Sequence, residues 1–266
     1  MFLFTLVTDL VSFCVGWFST WRYPRWLIKG TIEWYVERYQ LKMDEASQPV
    51  EYYQTLGQLF TRELKAEARP IESGACSPVD GLLRECGPIS QGMVFEVKNQ
   101  ITDLSELLKS KDKAKRFENG TYWNFYLSPQ DCHHVFCPLD GEVSEVVRIP
   151  GALFPVNDLA IKWVSKLFIR NARMVTYIET SRGLAAVVMV GALNVGKMES
   201  CFEPTGQGDL KCTQVKVKSG ERLGTFHLGS SVVLLTEWSC TPLDQTPKRV
   251  SYGGHLAGLI KHTGTW

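Results

Sequence analysis

No Cys-x-x-Cys pair occurs in this chain; its eight cysteines lie scattered at 14, 76, 86, 132, 137, 201, 212 and 240. That spacing argues against a zinc site, and a disulfide framework is out of place in a chain of 266 residues. The cysteines read as reduced core thiols of a cytosol-facing protein. An excess of one charge is also lacking. The 29 Lys and Arg residues are offset by 28 Asp and Glu, which leaves a formal net charge of +1 and no basic cluster. This removes the electrostatic case for nucleic acid as a partner. There is no low-complexity block and no Gly-x-Ser-x-Gly elbow of a serine hydrolase. No metal site is expected.

The N-terminus lacks the basic n-region and small-residue cleavage site of a secretory signal. Residues 2–21 read FLFTLVTDLVSFCVGWFSTW, with Asp9 as the only charge. The stretch is just long enough to span a bilayer, but Asp9 sits in its middle. Arg22, Arg25 and Lys29 follow, interleaved with Trp26, Trp34, Tyr35 and Tyr39. Aromatics mixed with basic residues suit the headgroup region. Three readings stay open: helices lying in the membrane interface, which this mixture favours, a spanning anchor, and ordinary core helices.

Residues 1–45 read as two or three helices broken at Pro24. Residues 55–65 (TLGQLFTRELK) read as a short amphipathic helix that ends before Arg69-Pro70. From Cys76 onward short β-rich runs are punctuated by glycine, with helical interruptions expected at 103–109 and 158–169. Many short strands with regular turn signals point to a sandwich or barrel. The expected fold class is therefore α+β, mostly β: N-terminal membrane-associating helices over 1–45, a β-sandwich or barrel-like catalytic domain over 46–240, and a Pro/Gly-rich tail over 241–266 expected as loop. Ser77-Pro78-Val79-Asp80-Gly81 and Cys137-Pro138-Leu139-Asp140-Gly141 echo each other. They mark either two related lobes or two ordinary Pro-x-Asp-Gly turns.

The feature with most chemistry is Leu228-Gly229-Ser230-Ser231, which runs into the apolar stretch Val232-Val233-Leu234-Leu235. A serine hydroxyl can attack the preceding carbonyl, and glycine there allows the backbone angles that attack needs.

With Ser77–Gly81, Asp131-Cys132-His133-His134, Gly151-Ala152-Leu153-Phe154-Pro155-Val156-Asn157, Phe60-Thr61-Arg62-Glu63-Leu64, Arg69-Pro70-Ile71 and Asn171-Ala172-Arg173, this site resembles the phosphatidylserine decarboxylase family, in its short membrane-associated bacterial and mitochondrial type. The order and approximate spacing of the motifs agree from residue 25 to about 236. The resemblance implies a proenzyme cut between Gly229 and Ser230 into a large and a small subunit. Ser230 then becomes a covalent pyruvoyl group. Its ketone forms a Schiff base with the amine of phosphatidylserine and withdraws electrons as carbon dioxide leaves, giving phosphatidylethanolamine. The implied partners are a phospholipid membrane and phosphatidylserine, at the cytoplasmic face of the cell membrane or at an organelle inner membrane. A homodimer is left open.

Self-cleavage needs a base for Ser230, and the family uses an Asp-His-Ser relay. Asp80 matches the family aspartate. The family segment reads Asp-Tyr-His-x-x-His-x-Pro, whereas this chain reads Asp131-Cys132-His133-His134-Val135-Phe136-Cys137-Pro138. His133 matches the first family histidine, associated with decarboxylation. The relay histidine falls on Phe136, which has no lone pair. Rescue by His133 requires a turn-like segment, because along a strand positions 133 and 136 face opposite sides. His134 is expected as a solvated surface residue, and His227, along a strand, would point away from Ser230. Phe154 and Asn157 are expected near the substrate headgroup. The alternative reading is an unprocessed, non-catalytic relative that binds membrane or lipid.

Overall fold

The computed structural model describes residues 19–90, 93–96, 100–156, 164–192, 198–202, 214–227, 230–242 and 246–258. Asn157, Leu228, Gly229, the apolar run to residue 18 and most of the helix expected at 158–169 lie outside these.

Helix α1 (Arg25–Tyr39) starts after Pro24, which sits in an extended conformation as N-cap. Ile28, Ile32 and Tyr35 recur at helical spacing and bury one face. They form a small core with Leu41, Tyr53, Leu59 and Phe60. The helix stops at Gln40, whose left-handed backbone (φ 52°) turns its N–H back to Glu37 O and Val36 O. Among the described residues no helix is long and apolar enough to cross a membrane. Helix α2 (Leu56–Phe60) is shorter than the amphipathic pattern over 55–65 implied. Thr55 caps its start by accepting from Gln58 N–H at 3.0 Å. Beyond Phe60 the chain turns away, because Ser47 N–H donates to Glu63 O and Lys65 N–H to Glu45 O. This pairing takes residues 63–65 out of the helix.

The body is one eight-stranded antiparallel sheet in the order β11–β7–β8–β9–β13–β5–β2–β15. Its strands are β2 (Gly81–Pro88), β5 (Thr121–Leu127), β7 (Gly141–Ile149), β8 (Arg173–Thr180), β9 (Gly183–Val190), β11 (Val215–Val217), β13 (Ser230–Thr236) and β15 (Lys248–Val250). Two three-stranded sheets accompany it. One orders β1 (Ala75–Cys76), β16 (His255–Gly258) and β14 (Thr241–Pro242); the other orders β10 (Met198–Ser200), β12 (Arg222–Phe226) and β6 (His134–Phe136). A hairpin of β3 (Met93–Glu96) and β4 (Gln100–Asp103) leads into α3 (Leu104–Leu108) and α4 (Lys111–Arg116), and α5 (Leu167–Arg170) precedes β8. The mostly β, α+β class stands, built on a large antiparallel sheet accompanied by two three-stranded sheets. The segment from Thr241, expected as loop, contributes β14, β15 and β16.

The two Pro-x-Asp-Gly turns are built alike. Each leads into a strand second from an edge of the large sheet. A Cβ on Gly81 would meet Tyr126 O at 2.6 Å, and one on Gly141 would meet Glu179 O at 2.6 Å. Both strands bulge two residues later, at Leu83/Glu85 and at Val143/Glu145. Asp80 Oδ1 accepts from Tyr252 N–H and Asp140 Oδ1 from Ser219 N–H, each at 2.8 Å. The next residues, Gly253 and Gly220, both take positive φ (78° and 83°), a conformation that favours glycine. The turns also hold each other: Cys76 N–H donates to Pro138 O and Phe136 N–H to Pro78 O. This reciprocal contact sets Phe136 against the Asp80 turn.

Candidate active site

Ser230 opens β13, the strand paired on one side with β5 and on the other with β9. All seven residues of β13 are buried. Val232 to Leu235 supply apolar side chains to both faces, as a central strand requires. Ser230 and Ser231 are fully buried, and neither hydroxyl has a hydrogen-bond partner. An unpartnered buried hydroxyl costs about 1–3 kcal/mol, so these two serines are out of place as structural residues.

Ser230 pairs with Leu127, and Leu127 adjoins Gly81 on the next strand. Asp80 therefore stands about 10 Å from the Ser230 backbone, two strand spacings away. Its carboxylate is buried but not on an imidazole. It takes Arg69 Nη2 at 2.7 Å and Nε at 3.0 Å, besides Tyr252 N–H. Arg69 also binds Glu45 at 2.7 Å. Phe136 lies flat on Tyr252, with ring centroids 3.7 Å apart and 16° between planes. The space beside the Asp80 turn thus holds two stacked aromatic rings.

His133 is fully buried. Its Nδ1 is 2.9 Å from Asp131 O, so Nδ1 carries the proton and Nε2 the lone pair. That Nε2 has no partner. Burial pushes its pKa down to about 3, which keeps the ring neutral. The ring packs on Phe60 at 3.8 Å. Residues 134–136 form a strand and not a turn, so His133 and Phe136 face opposite sides and His133 does not fill the place of the missing imidazole. His134, expected in solvent, is only 3% exposed. Its Nδ1 meets Thr225 Oγ1 at 2.9 Å and its Nε2 lies 3.6 Å from Glu63 Oε1. Burial first, then the Arg222 charge, lowers its pKa to about 4. Glu63 itself is held below its ordinary value: burial opposes this, but the hydrogen bond from Arg222 and the charges of His134 and Arg222 outweigh it. His227 lies in a bend after β12 and pairs with Glu199 at 3.1 Å.

The Gly151–Val156 loop is pinned by Asn171, a role the motif alone did not reveal. Asn171 Oδ1 accepts from Phe154 N–H at 3.0 Å, and Nδ2 donates to Phe154 O and Gly191 O, each at 2.8 Å. Gly191 follows Val190, the register partner of Ser231. One buried amide thus ties the loop to the strand beside the Ser230 end of β13. Phe154 is 2% exposed and lies under the Arg170 guanidinium at 4.7 Å. Arg173 donates to Leu107 O, Ile169 O, Asn171 O and Glu106 O. It gathers the last carbonyls of α3 and α5 on one guanidinium. Beside Asp80 opens a cleft of about 310 Å³ lined by Arg62, Arg69, Asp131 and Arg249 among others. Tyr252 and Arg249 come from the segment read as loop, which is why sequence reasoning missed both.

The family model described as phosphatidylserine decarboxylase matches residues 56–258. The chain is similar to phosphatidylserine decarboxylase proenzymes of three bacteria. It is 34% identical over 264 residues to that of Coxiella burnetii strain RSA 493, covering 92% of this chain and 93% of the relative. It is 37% identical over 236 residues to that of Halalkalibacterium halodurans, with 88% and 86% covered. It is 40% identical over 220 residues to that of Brevibacillus brevis, with 77% and 78% covered.

Proposed function

Because the chain belongs to the phosphatidylserine decarboxylase family, we propose that it decarboxylates phosphatidylserine to phosphatidylethanolamine after cutting itself between Gly229 and Ser230. The observation that carries this reading is the buried, unpartnered Ser230 hydroxyl at the head of a central strand. The likeness to proenzymes over most of the chain favours it over an unprocessed, lipid-binding relative.

The residues present fit a pyruvoyl group at position 230. Ser230 Oγ has no partner, so its loss strands no hydrogen bond. When formed, that group supplies the ketone that withdraws electrons as carbon dioxide leaves. The chain's own residues then have three tasks. β5 pairs with residue 230 through Leu127, and β9 pairs with β13 from Ser231 onward. Asn171 fixes the loop carrying Phe154, where Phe154 and Asn157 would bound the headgroup. His133, neutral and with a free Nε2 lone pair, is the candidate to accept a hydrogen bond or a proton in the decarboxylation step. Asp80, carried over from the family relay, is assigned to self-cleavage; its turn is held against Phe136 by the Phe136 N–H to Pro78 O bond.

The membrane partner is supported by α1 and its surroundings. Tyr23 is 70% exposed, Trp26 76%, Trp34 56% and Tyr52 60%. Arg22, Arg25 and Lys29 line the adjoining cleft. This face matches an interfacial helix at the cytoplasmic side of a membrane. The test of the activity is direct: the purified chain with its predicted cut, given phosphatidylserine vesicles, releases carbon dioxide, and Ser230→Ala neither cuts nor releases it. Release by Ser230→Ala at the native rate would refute the reading.

A further inference from the structure

The Gly151–Val156 loop is held at two points, one on each side of the strand that begins at Ser230. In the large sheet β13 lies between β9 and β5, with β2 beyond β5. On the β9 side Asn171 Nδ2 joins Phe154 O to Gly191 O, each at 2.8 Å. Leu153 reaches the same point, for a Cβ on Gly191 would meet Leu153 Cδ2 at 3.4 Å. On the β5 side the contact comes from β2. Arg84 Nη1 donates to Val156 O at 3.2 Å. The same guanidinium lies over the Tyr126 ring, 4.1 Å from its centroid. Val190, which precedes Gly191, and Tyr126 are both register partners of Ser231. The two anchors therefore flank the head of β13. β9 and β5 stand two strand spacings apart, about 10 Å. Leu153 to Val156 is three residue steps, which reach about 10 Å when extended. The loop has the length to cross β13, and its Phe154 and Val156 are buried.

The anchor on β2 has a local cause. The register between β2 and β5 skips from Leu83 to Glu85, so the strand bulges at Arg84. A bulge bends its strand and re-aims a side chain. Here it lays the guanidinium on Tyr126 and brings Nη1 to the loop. The matching bulge of β7 carries Ser144, whose hydroxyl meets Tyr177 O on the next strand at 3.5 Å. The long cation thus belongs to the bulge on the side of the sheet near Ser230. A charged donor on a carbonyl makes a strong hydrogen bond, and stacking on the ring fixes the plane of the guanidinium.

We propose that Arg84 is a positioning residue for decarboxylation. It pins the far end of a strap, Leu153 to Val156, across β13 and so fixes one wall of the site at the head of that strand. The inference rests on the decarboxylase reading. Arg84 acts through the strap and takes no part in the cut. Reacting groups tolerate little displacement: a shift of about 1 Å can cost about 10²-fold in rate.

Variants of the full chain test this in two ways. Arg84→Met keeps an apolar stem on Tyr126 and loses the donor to Val156 O. It should cut itself as the native chain does, yet its kcat on phosphatidylserine vesicles should fall by about 10–100-fold, with KM within about twofold. Arg84→Lys keeps a cation for both contacts and should recover part of that rate. A merely structural role would lower Tm and the extent of cutting together with kcat. The second measurement needs no activity. In a Ser230→Ala background, Arg84→Met should speed amide exchange over residues 152–156 by about tenfold or more and leave exchange in β13 unchanged. Native exchange in that variant, or a native kcat in Arg84→Met, would overturn the inference while the decarboxylase reading stands. A native chain that releases no carbon dioxide would overturn both.

Discussion

Replacing Arg69 with methionine isolates what holds Asp80 in place. Arg69 is the only cation on this buried carboxylate among the contacts of the described residues. It donates through Nη2 at 2.7 Å and Nε at 3.0 Å and bridges to Glu45 at 2.7 Å. The Arg69 side chain is 11% exposed and that of Asp80 7%, so water does little to screen the pair. Methionine keeps most of the stem's packing and removes the charge. Asp80 is then left with Tyr252 N–H alone. Breaking one side of a buried pair typically costs about 3–5 kcal/mol, whereas removing both sides is often close to neutral. Arg69→Met should therefore lose about 3–5 kcal/mol, and Arg69→Met with Asp80→Asn should recover most of it. Urea unfolding measures both, in a Ser230→Ala background so that every chain stays whole. A loss below about 1 kcal/mol in the single variant, or a double variant no more stable than the single, would show that this ion pair does not hold the turn.

Other expectations follow from the same contacts. Asn171→Leu removes three buried hydrogen bonds. At about 1 kcal/mol or more for each bond it should lower stability by about 2–4 kcal/mol, read as a drop in Tm, and it should cut decarboxylation by loosening the loop. Arg173→Met leaves four carbonyls without their donor and should destabilise by a similar amount in urea. His133 and His134 stay neutral in the fold, with pKa lowered to about 3 and about 4, first by burial. Unfolded histidine takes up a proton near pH 6.5, so below that pH the unfolded chain binds more protons and stability falls. Each histidine should lose about 2 kcal/mol between pH 6.5 and 5, and His134→Gln should flatten the slope of unfolding free energy against pH by half. Glu45 and Glu237 work over a lower window. Burial alone would raise both carboxyls, but hydrogen bonds from Arg69 and Lys42 to the one, and from Arg116 to the other, hold them below their ordinary value. Their contribution is complete above the unfolded carboxyl pKa and disappears as pH falls through the lower folded values.

What was legible in the sequence was the chemistry written into local turns. Ser230 at the mouth of an apolar run became the first residue of a central strand, because Val232 to Leu235 can be satisfied only by burial on both faces. The echo of the two Pro-x-Asp-Gly turns also reached the structure, where each aspartate takes a backbone N–H from the turn two residues past an edge strand. Burial decided by distant partners was not legible. His134 carries no local mark of burial; Thr225 and Glu63, far away in the chain, enclose it. β14 and β15 are two and three residues long with no alternation to read, so only their pairing with β16 and β2 makes them strands. Arg249 and Tyr252 were lost with them. The N-terminal apolar run remains a reading from residues 2–21 alone.

The central claim is that Ser230 becomes the new end of a small subunit. Intact-mass analysis of the purified chain tests it most directly. The account predicts a fragment beginning at residue 230 with a blocked N-terminus and the loss of ammonia, alongside its larger companion ending at Gly229. A single species of 30.0 kDa that persists for days would contradict it.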